Sequence, residues 1–256
     1  MSQLVLHSDD FETAVRRVRD LRPLVHCMTN DVVQEITANV LLAAGASPAM
    51  VVAKQEAGVF ASLAQALLVN VGTLTDTLVS AMRDAIESAN RHGKPWVLDP
   101  VGAGGLAYRD GVVAEFLTLK PTVVRGNASE ILAISGHGSG GKGVDSTDSS
   151  ESALSAAVHL AKTFGTVVCV TGQTDYVTDG ERIVAVTGGT ERATLVVGTG
   201  CSLSTLVAAF LAANDDPVTA CAAACTMAKR AAEYADKHSV GPGSFKVAYI
   251  DGLSLI

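Results

Sequence analysis

Aromatic side chains are scarce: six Phe, four Tyr and one Trp, 4% of 256 residues. A surface that stacks nucleic-acid bases needs such rings, so base stacking is excluded as a main activity. A net charge of −7 also works against a partner with a phosphate backbone. It leaves nucleotides open, because acidic proteins bind them through local glycine loops. Long apolar runs are lacking too. "VLLAAGASPAMVVA" and "LSTLVAAFLAA" both fall short of the roughly 20 residues that span a bilayer, and Gly, Ser and Pro break the first. The start, "MSQLVLHSDDF", has no basic stretch followed by an apolar core. The expectation is a cytoplasmic protein with no membrane or nucleic-acid partner. Paired cysteine motifs are missing as well. The five cysteines (Cys27, Cys169, Cys201, Cys221 and Cys225) form no CxxC, so neither a disulfide framework nor a zinc site is expected. Cys221 and Cys225, one helical turn apart in an Ala-rich run, read as small buried residues.

What is present is aliphatic. Hydrophobic residues make up 48% of the chain, enough for a large core of Ala, Val and Leu. The length fits one compact domain over residues 1–256. Helical and strand patterns alternate. "FETAVRRVRDL", "NDVVQEITANVLLAAG", "QEAGVFASLA", the run 75–92, "NASEILAIS" and the run 150–164 read as helices. "LVHCMT", "SPAMVV", "ALLVNVG", "PWVLDP", "TVVRG", "TVVCVTG" and "ATLVVG" read as strands. "DYVTDGERIVAV" reads as a hairpin turning at Asp179-Gly180, and helices fill most of 200–256. Continuous apolar strands between helices imply a mostly parallel sheet covered on both faces. Ligands of such sheets sit beyond the carboxyl ends of the strands.

Polar residues gather at those ends. Asp99 closes "WVLD" before "PVGAGG", either as an acid for Mg²⁺ or as a turn cap before Pro100. In "RGNASEI", Asn127 and Glu130 have capping-box spacing. The same Glu130, with Arg125 before it, also suits a phosphate–metal site. Thr171-Gly172 closes another strand and can hydrogen-bond a phosphate. "GHGSGGKG" imitates a P-loop, but Gly143 stands where Ser or Thr belongs and no strand precedes it, so a surface loop is expected over 136–146. "GTGC", 198–201, is either a plain tight turn or an anion site. Gly198 and Gly200 let backbone N–H groups converge at a helix N-terminus. There the thiolate of Cys201 is expected to be more accessible than its free value of about 8.5. It serves either as general base or as a small group shaping the pocket, and the second reading is preferred.

The order of these pieces resembles the ribokinase-like superfamily, and within it the hydroxyethylthiazole kinases. "NDVVQEITANVLLAAGASPAM", "VLDPVGAGG", "RGNASEI", "GKGVDS", "VTGQTDYVTDG" and "VVGTGCSLS" carry the resemblance. It implies an α/β fold: a single-domain ribokinase-like three-layer sandwich with a mostly parallel central sheet and no separate lid domain. It implies ATP-dependent phosphorylation of the hydroxyl of 4-methyl-5-(2-hydroxyethyl)thiazole with Mg²⁺, in a homotrimer with sites between subunits. By position, Met50, Gly198 and Asn30 would contact the thiazole. Arg125, Thr171 and Asn127 would face ATP, and Asp99 and Glu130 would face Mg²⁺. Gly198, Gly200 and Cys201 would form the catalytic turn. In the wider superfamily an aspartate that takes the hydroxyl proton stands at the position of Cys201. Two alternatives remain: a kinase of another small alcohol such as hydroxymethylpyrimidine, and a nucleotide-binding regulator without catalysis.

Overall fold

A computed structural model describes residues 3–136 and 150–256. Most of the expected glycine-rich loop, and with it the P-loop imitation, lies outside the described residues. The strands are β1 (Gln3–Leu4), β2 (Leu24–Met28), β3 (Ser47–Ala49), β4 (Ala66–Asn70), β5 (Trp96–Asp99), β6 (Val123–Asn127), β7 (Val167–Thr171), β8 (Asp175–Thr178) and β9 (Ile183–Val186). They form one sheet in the order β1-β9-β8-β7-β6-β5-β4-β2-β3. β2 to β7 pair in parallel, and only β8 runs against its neighbours. The Asp179-Gly180 hairpin makes that reversal, with Gly180 in the left-handed region at φ 94°.

Side chains alternate along the central strands, and β2 and β4 to β7 are covered on both faces, while β3 is a partly exposed edge. Val25, Cys27, Leu68, Val97, Val123 and Cys169 pack into one cluster with helices α1 (Ser8–Leu21), α2 (Gln34–Ala44), α8 (Thr199–Ala213), α9 (Pro217–His238) and α10 (Pro242–Leu255). Met28, Leu67, Val69, Leu98, Val124 and Val170 pack into the other. Their partners are α3 (Lys54–Leu63), α4 (Asp76–Arg91), α5 (Ala107–Thr118), α6 (Ala128–Ile134) and α7 (Leu154–Phe164). This is the expected three-layer arrangement. Alanine dominates the cover: α9 alone buries Ala220, Ala222, Ala223, Ala224, Ala231 and Ala235. Small side chains let that helix lie close on the sheet.

The structure differs from the sequence reading in four places. "ATLVVG" is no strand. A 3₁₀ turn, Glu191–Leu195, leads into an irregular stretch where Leu195 is 64% and Val197 69% exposed. Leu195 and Val197 of the apolar run that suggested a sheet strand therefore face outward, while Val196 between them packs into the core, and the Gly-Thr-Gly turn follows this irregular segment rather than a strand. The first long helix starts at Gln34, not at Asn30, because residues 31–33 form a turn. α5 and the short edge strand β1 have no counterpart in the sequence reading. The amphipathic period of α5 is blurred by Gly111 and by apolar residues all round.

Candidate active site

The carboxyl ends of the parallel strands present a row of polar side chains. Asn30 lies just past β2, and Asn70, Asp99, Asn127 and Thr171 are the last residues of β4, β5, β6 and β7. The register sets Asn70 directly beside Asp99, and Asn127 beside Thr171. Asn30 Nδ2 donates to Asn70 Oδ1 at 2.9 Å, and Asn70 Nδ2 donates to Asp99 Oδ2 at 2.8 Å. Helix α8 closes the row from above. Ser204 Oγ donates to Asp99 Oδ2 at 2.8 Å, and Asn30 Nδ2 also reaches Cys201 Sγ at 3.6 Å. One continuous network thus links Cys201, Asn30, Asn70, Asp99 and Ser204. Asp99 Oδ1 is buried and has no hydrogen-bond partner.

The first turn of α8 makes two close approaches at its glycines. Gly198 caps the helix at φ 93°, and a Cβ there would stand 2.6 Å from Ile36 Cγ2. A Cβ on Gly200 would press on the Arg125 guanidinium, at 3.3 Å from Nη1. Arg125 is buried, and its Nη2 donates to Thr171 Oγ1 at 2.5 Å. The guanidinium therefore spans from the start of α8 to the end of β7. Glu130 lies on the other side. It completes the expected capping box with Asn127, its Oε2 accepting the Asn127 N–H at 2.8 Å. Its Oε1 accepts the Gly102 N–H, also at 2.8 Å, so the carboxylate ties the turn after β5 to the start of α6. Arg109 of α5 supports the same turns by donating to the Gly72 and Val101 carbonyls.

Burial sets the charge states. Asp99 is pushed up to about 7, first by desolvation and then by Glu130, against the opposing pull of Arg125, Ser204 and Asn70. Desolvation also works against the charge on Arg125, but Asp99 and Glu130 outweigh it and the guanidinium is held more firmly protonated than usual. Cys201 goes the opposite way from the expectation. Desolvation and the Asp99 charge push its thiol up to about 11, more than Asn70, Arg125 and Asn30 pull it down. The thiol keeps its proton at neutral pH, and the accessible thiolate read from the helix start is corrected. Burial beside a carboxylate outweighs the favourable amides.

Met50 sits apart from the hydrogen-bonded row. It follows β3, at the same end of the sheet as Asn30, and packs partly buried against the α2–α8 side of the core. His26 fixes this segment through a 2.7 Å contact between Nε2 and the Val51 carbonyl. Two members of the site were not anticipated. Asn70 could have been found as the polar residue ending the apolar run "ALLVN". Ser204 stands three positions after Cys201, on the same helix face.

The comparisons with known proteins decide the family. The model of the hydroxyethylthiazole kinase family matches residues 15–256. The chain belongs to the hydroxyethylthiazole kinase family. It is 57% identical over 231 residues to the hydroxyethylthiazole kinase of Klebsiella pneumoniae (strain 342), covering 90% of each chain. The solved structure of the hydroxyethylthiazole kinase protein from Pyrococcus horikoshii OT3 superposes with a TM-score of 0.90 at 42% identity, covering 97% of this chain and 94% of that one. A ribokinase-like superfamily protein from Enterococcus faecalis V583 superposes with a TM-score of 0.69 at 13% identity, covering 99% and 96% of the two chains, and shares the fold. Membership of this kinase family makes the chain an enzyme and implies ATP as the phosphoryl donor. Among the described residues, no helix is long and apolar enough to cross a membrane.

Proposed function

We propose that this kinase transfers the γ-phosphoryl group of ATP to the hydroxyl of 4-methyl-5-(2-hydroxyethyl)thiazole, serving thiamine biosynthesis or salvage. It does so as one cytoplasmic kinase domain, in a homotrimer with sites between subunits. The observation that carries the reading is the network from Cys201 through Asn30 and Asn70 to Asp99, set under the first turn of α8. Asn30 and Met50 offer the thiazole alcohol one polar and one soft apolar contact. The amides of Gly198, Gly200 and Cys201 point their donors at the transferring oxygens. Arg125, Thr171 and Asn127 hold the phosphates from the far side.

Asp99 and Glu130 fit Mg²⁺ to different degrees. Asp99 Oδ1 is a buried carboxylate oxygen with no other partner, the donor a hard cation takes. Both oxygens of Glu130 already accept a backbone N–H, so its spare lone pairs suit water bound to the ion. Mg²⁺, when bound, offsets the triphosphate charge and aligns the leaving phosphates. Cys201 acts as a neutral thiol that shapes the pocket. In a loose transition state the alcohol proton leaves late, so no strong base is needed beside the oxygen.

The test is ATP consumption with a panel of small primary alcohols. The thiazole alcohol is expected to give the highest kcat/KM, well above hydroxymethylpyrimidine. Equal turnover of the two would overturn the substrate assignment. Binding of ATP with no alcohol-dependent consumption would support the regulator instead.

A further inference from the structure

Three of the five cysteines meet on the inner side of α9. Cys169 of β7 faces Cys221 and Cys225, and the three Sγ atoms all lie within 4.8 Å of one another. Cys169 Sγ and Cys225 Sγ are 3.5 Å apart, and all three residues are fully buried. Elsewhere α9 fills its buried space with alanine, at Ala220, Ala222, Ala223 and Ala224. The two thiols depart from that filler at an i, i+4 pair, which shares one helix face. Cys169 itself pairs in register with Arg125, so the cluster lies beneath the nucleotide side of the active site.

We infer that Cys169, Cys221 and Cys225 form a trigonal binding site for a soft monovalent metal cation of the Cu(I) class. Thiol ligands select soft cations such as Cu(I) over hard ones. Three sulfurs arranged trigonally at a metal–sulfur distance of about 2.3 Å stand about 4 Å apart, within the spread of this cluster. Structural zinc takes four ligands. Among the described residues, no His, Asp or Glu joins the cluster at that spacing. Asp175, whose charge acts on the three thiols, is already engaged by Lys229 and the Gly172 N–H. Cu(I) is held by thiolates, so the ion replaces the thiol protons, and the Arg125 charge that acts on Cys169 offsets part of the negative charge left in the site. Binding therefore competes with protons and tightens as pH rises. Full burial also means that the ion enters during folding or through a local opening of α9.

The readout is bound metal, not activity. Reduced protein is equilibrated without oxygen against chelator-buffered Cu(I), both as folded protein and after refolding from urea with Cu(I) present. One equivalent is expected in the refolded sample, with a thiolate-to-copper charge-transfer absorption. Cys27→Ala and Cys201→Ser should keep it, and Cys169→Ala and Cys225→Ala should lose it. Circular dichroism checks that each variant is folded. Cys221→Ser, which nearly preserves volume, replaces any alanine variant that is not, with the same loss expected. The inference is overturned if neither sample binds, if binding survives in the cluster variants, or if it disappears with Cys201. One equivalent of Zn²⁺ held at the cluster, with no Cu(I), overturns it too.

Discussion

A protonated thiol at the mouth of α8 changes what Cys201 can contribute. A thiol held at about 11 is almost wholly neutral at pH 7, so a resting thiolate cannot be the source of the rate. Cys201→Ser keeps a small neutral group that still accepts from Asn30 and is expected to retain at least about a tenth of wild-type kcat. The pH profile of kcat/KM should keep its shape. A loss beyond about a thousandfold with ATP binding intact would make the thiolate the base after all. Asp99 gives a second residue-level prediction. In the native protein it holds its proton up to about 7, whereas in the unfolded chain it releases it near 3.8. The unfolded state therefore binds fewer protons between these values. Stability is fully present below the lower value and is lost as pH rises through the upper one. Asp99→Asn removes that loss while an amide oxygen still accepts from Asn70 and Ser204. In metal-free buffer the variant should melt above wild type at about pH 8, with the gap closing near pH 4. Equal gaps at both pH values would refute the raised carboxyl.

At the scale of elements, the site depends on how strand ends are tied to the helices that follow. Glu130 does this with both carboxylate oxygens, one on the Gly102 N–H and one on the Asn127 N–H. Glutamine is therefore not a neutral substitute, because its amide nitrogen leaves one of these N–H groups facing a donor. Glu130→Gln is expected to cost roughly 1–3 kcal/mol of stability, measured by urea unfolding. Turnover should fall about tenfold or more, with Mg²⁺ half-saturation shifted upward. An unchanged Mg²⁺ titration would reduce Glu130 to a helix cap. The parallel strands were legible because they are buried on both faces and read as continuous apolar runs. So were the strand-end polar residues Asp99, Asn127 and Thr171, since the ends of such runs are easy to see. "ATLVVG" misled for the same reason: apolar content cannot distinguish a strand from an irregular segment that buries Val196 and exposes Leu195 and Val197. α5 was hidden by its weak period. Asn70 and Ser204 were missed because each matters only through a partner far along the chain. The Cys169–Cys221–Cys225 cluster is another long-range meeting, invisible in the spacing of two cysteines on one helix.

Across the whole molecule, exposed apolar residues are scattered, but four of them flank segments that build the site. Val32 follows Asn30, Val52 follows Met50, and Leu195 and Val197 precede Gly198, all exposed. Single exposed hydrophobics are normal on a monomer, but several flanking one functional cleft mark a surface that meets a partner. In the proposed homotrimer, a second copy of the chain would cover this rim. Only 18% of the residues are charged, which leaves little polar surface for a free monomer. Sedimentation should therefore give three times the chain mass of 26.2 kDa. If neighbouring subunits complete each site, specific activity should fall on dilution in step with dissociation. Val197→Asp places a charge on the outward-facing segment before the catalytic turn. It should shift the sedimenting species toward monomer and lower activity, while circular dichroism stays that of a folded chain. A monomer with full activity at micromolar concentration would show that each chain carries a complete site, and the apolar rim would then need another partner.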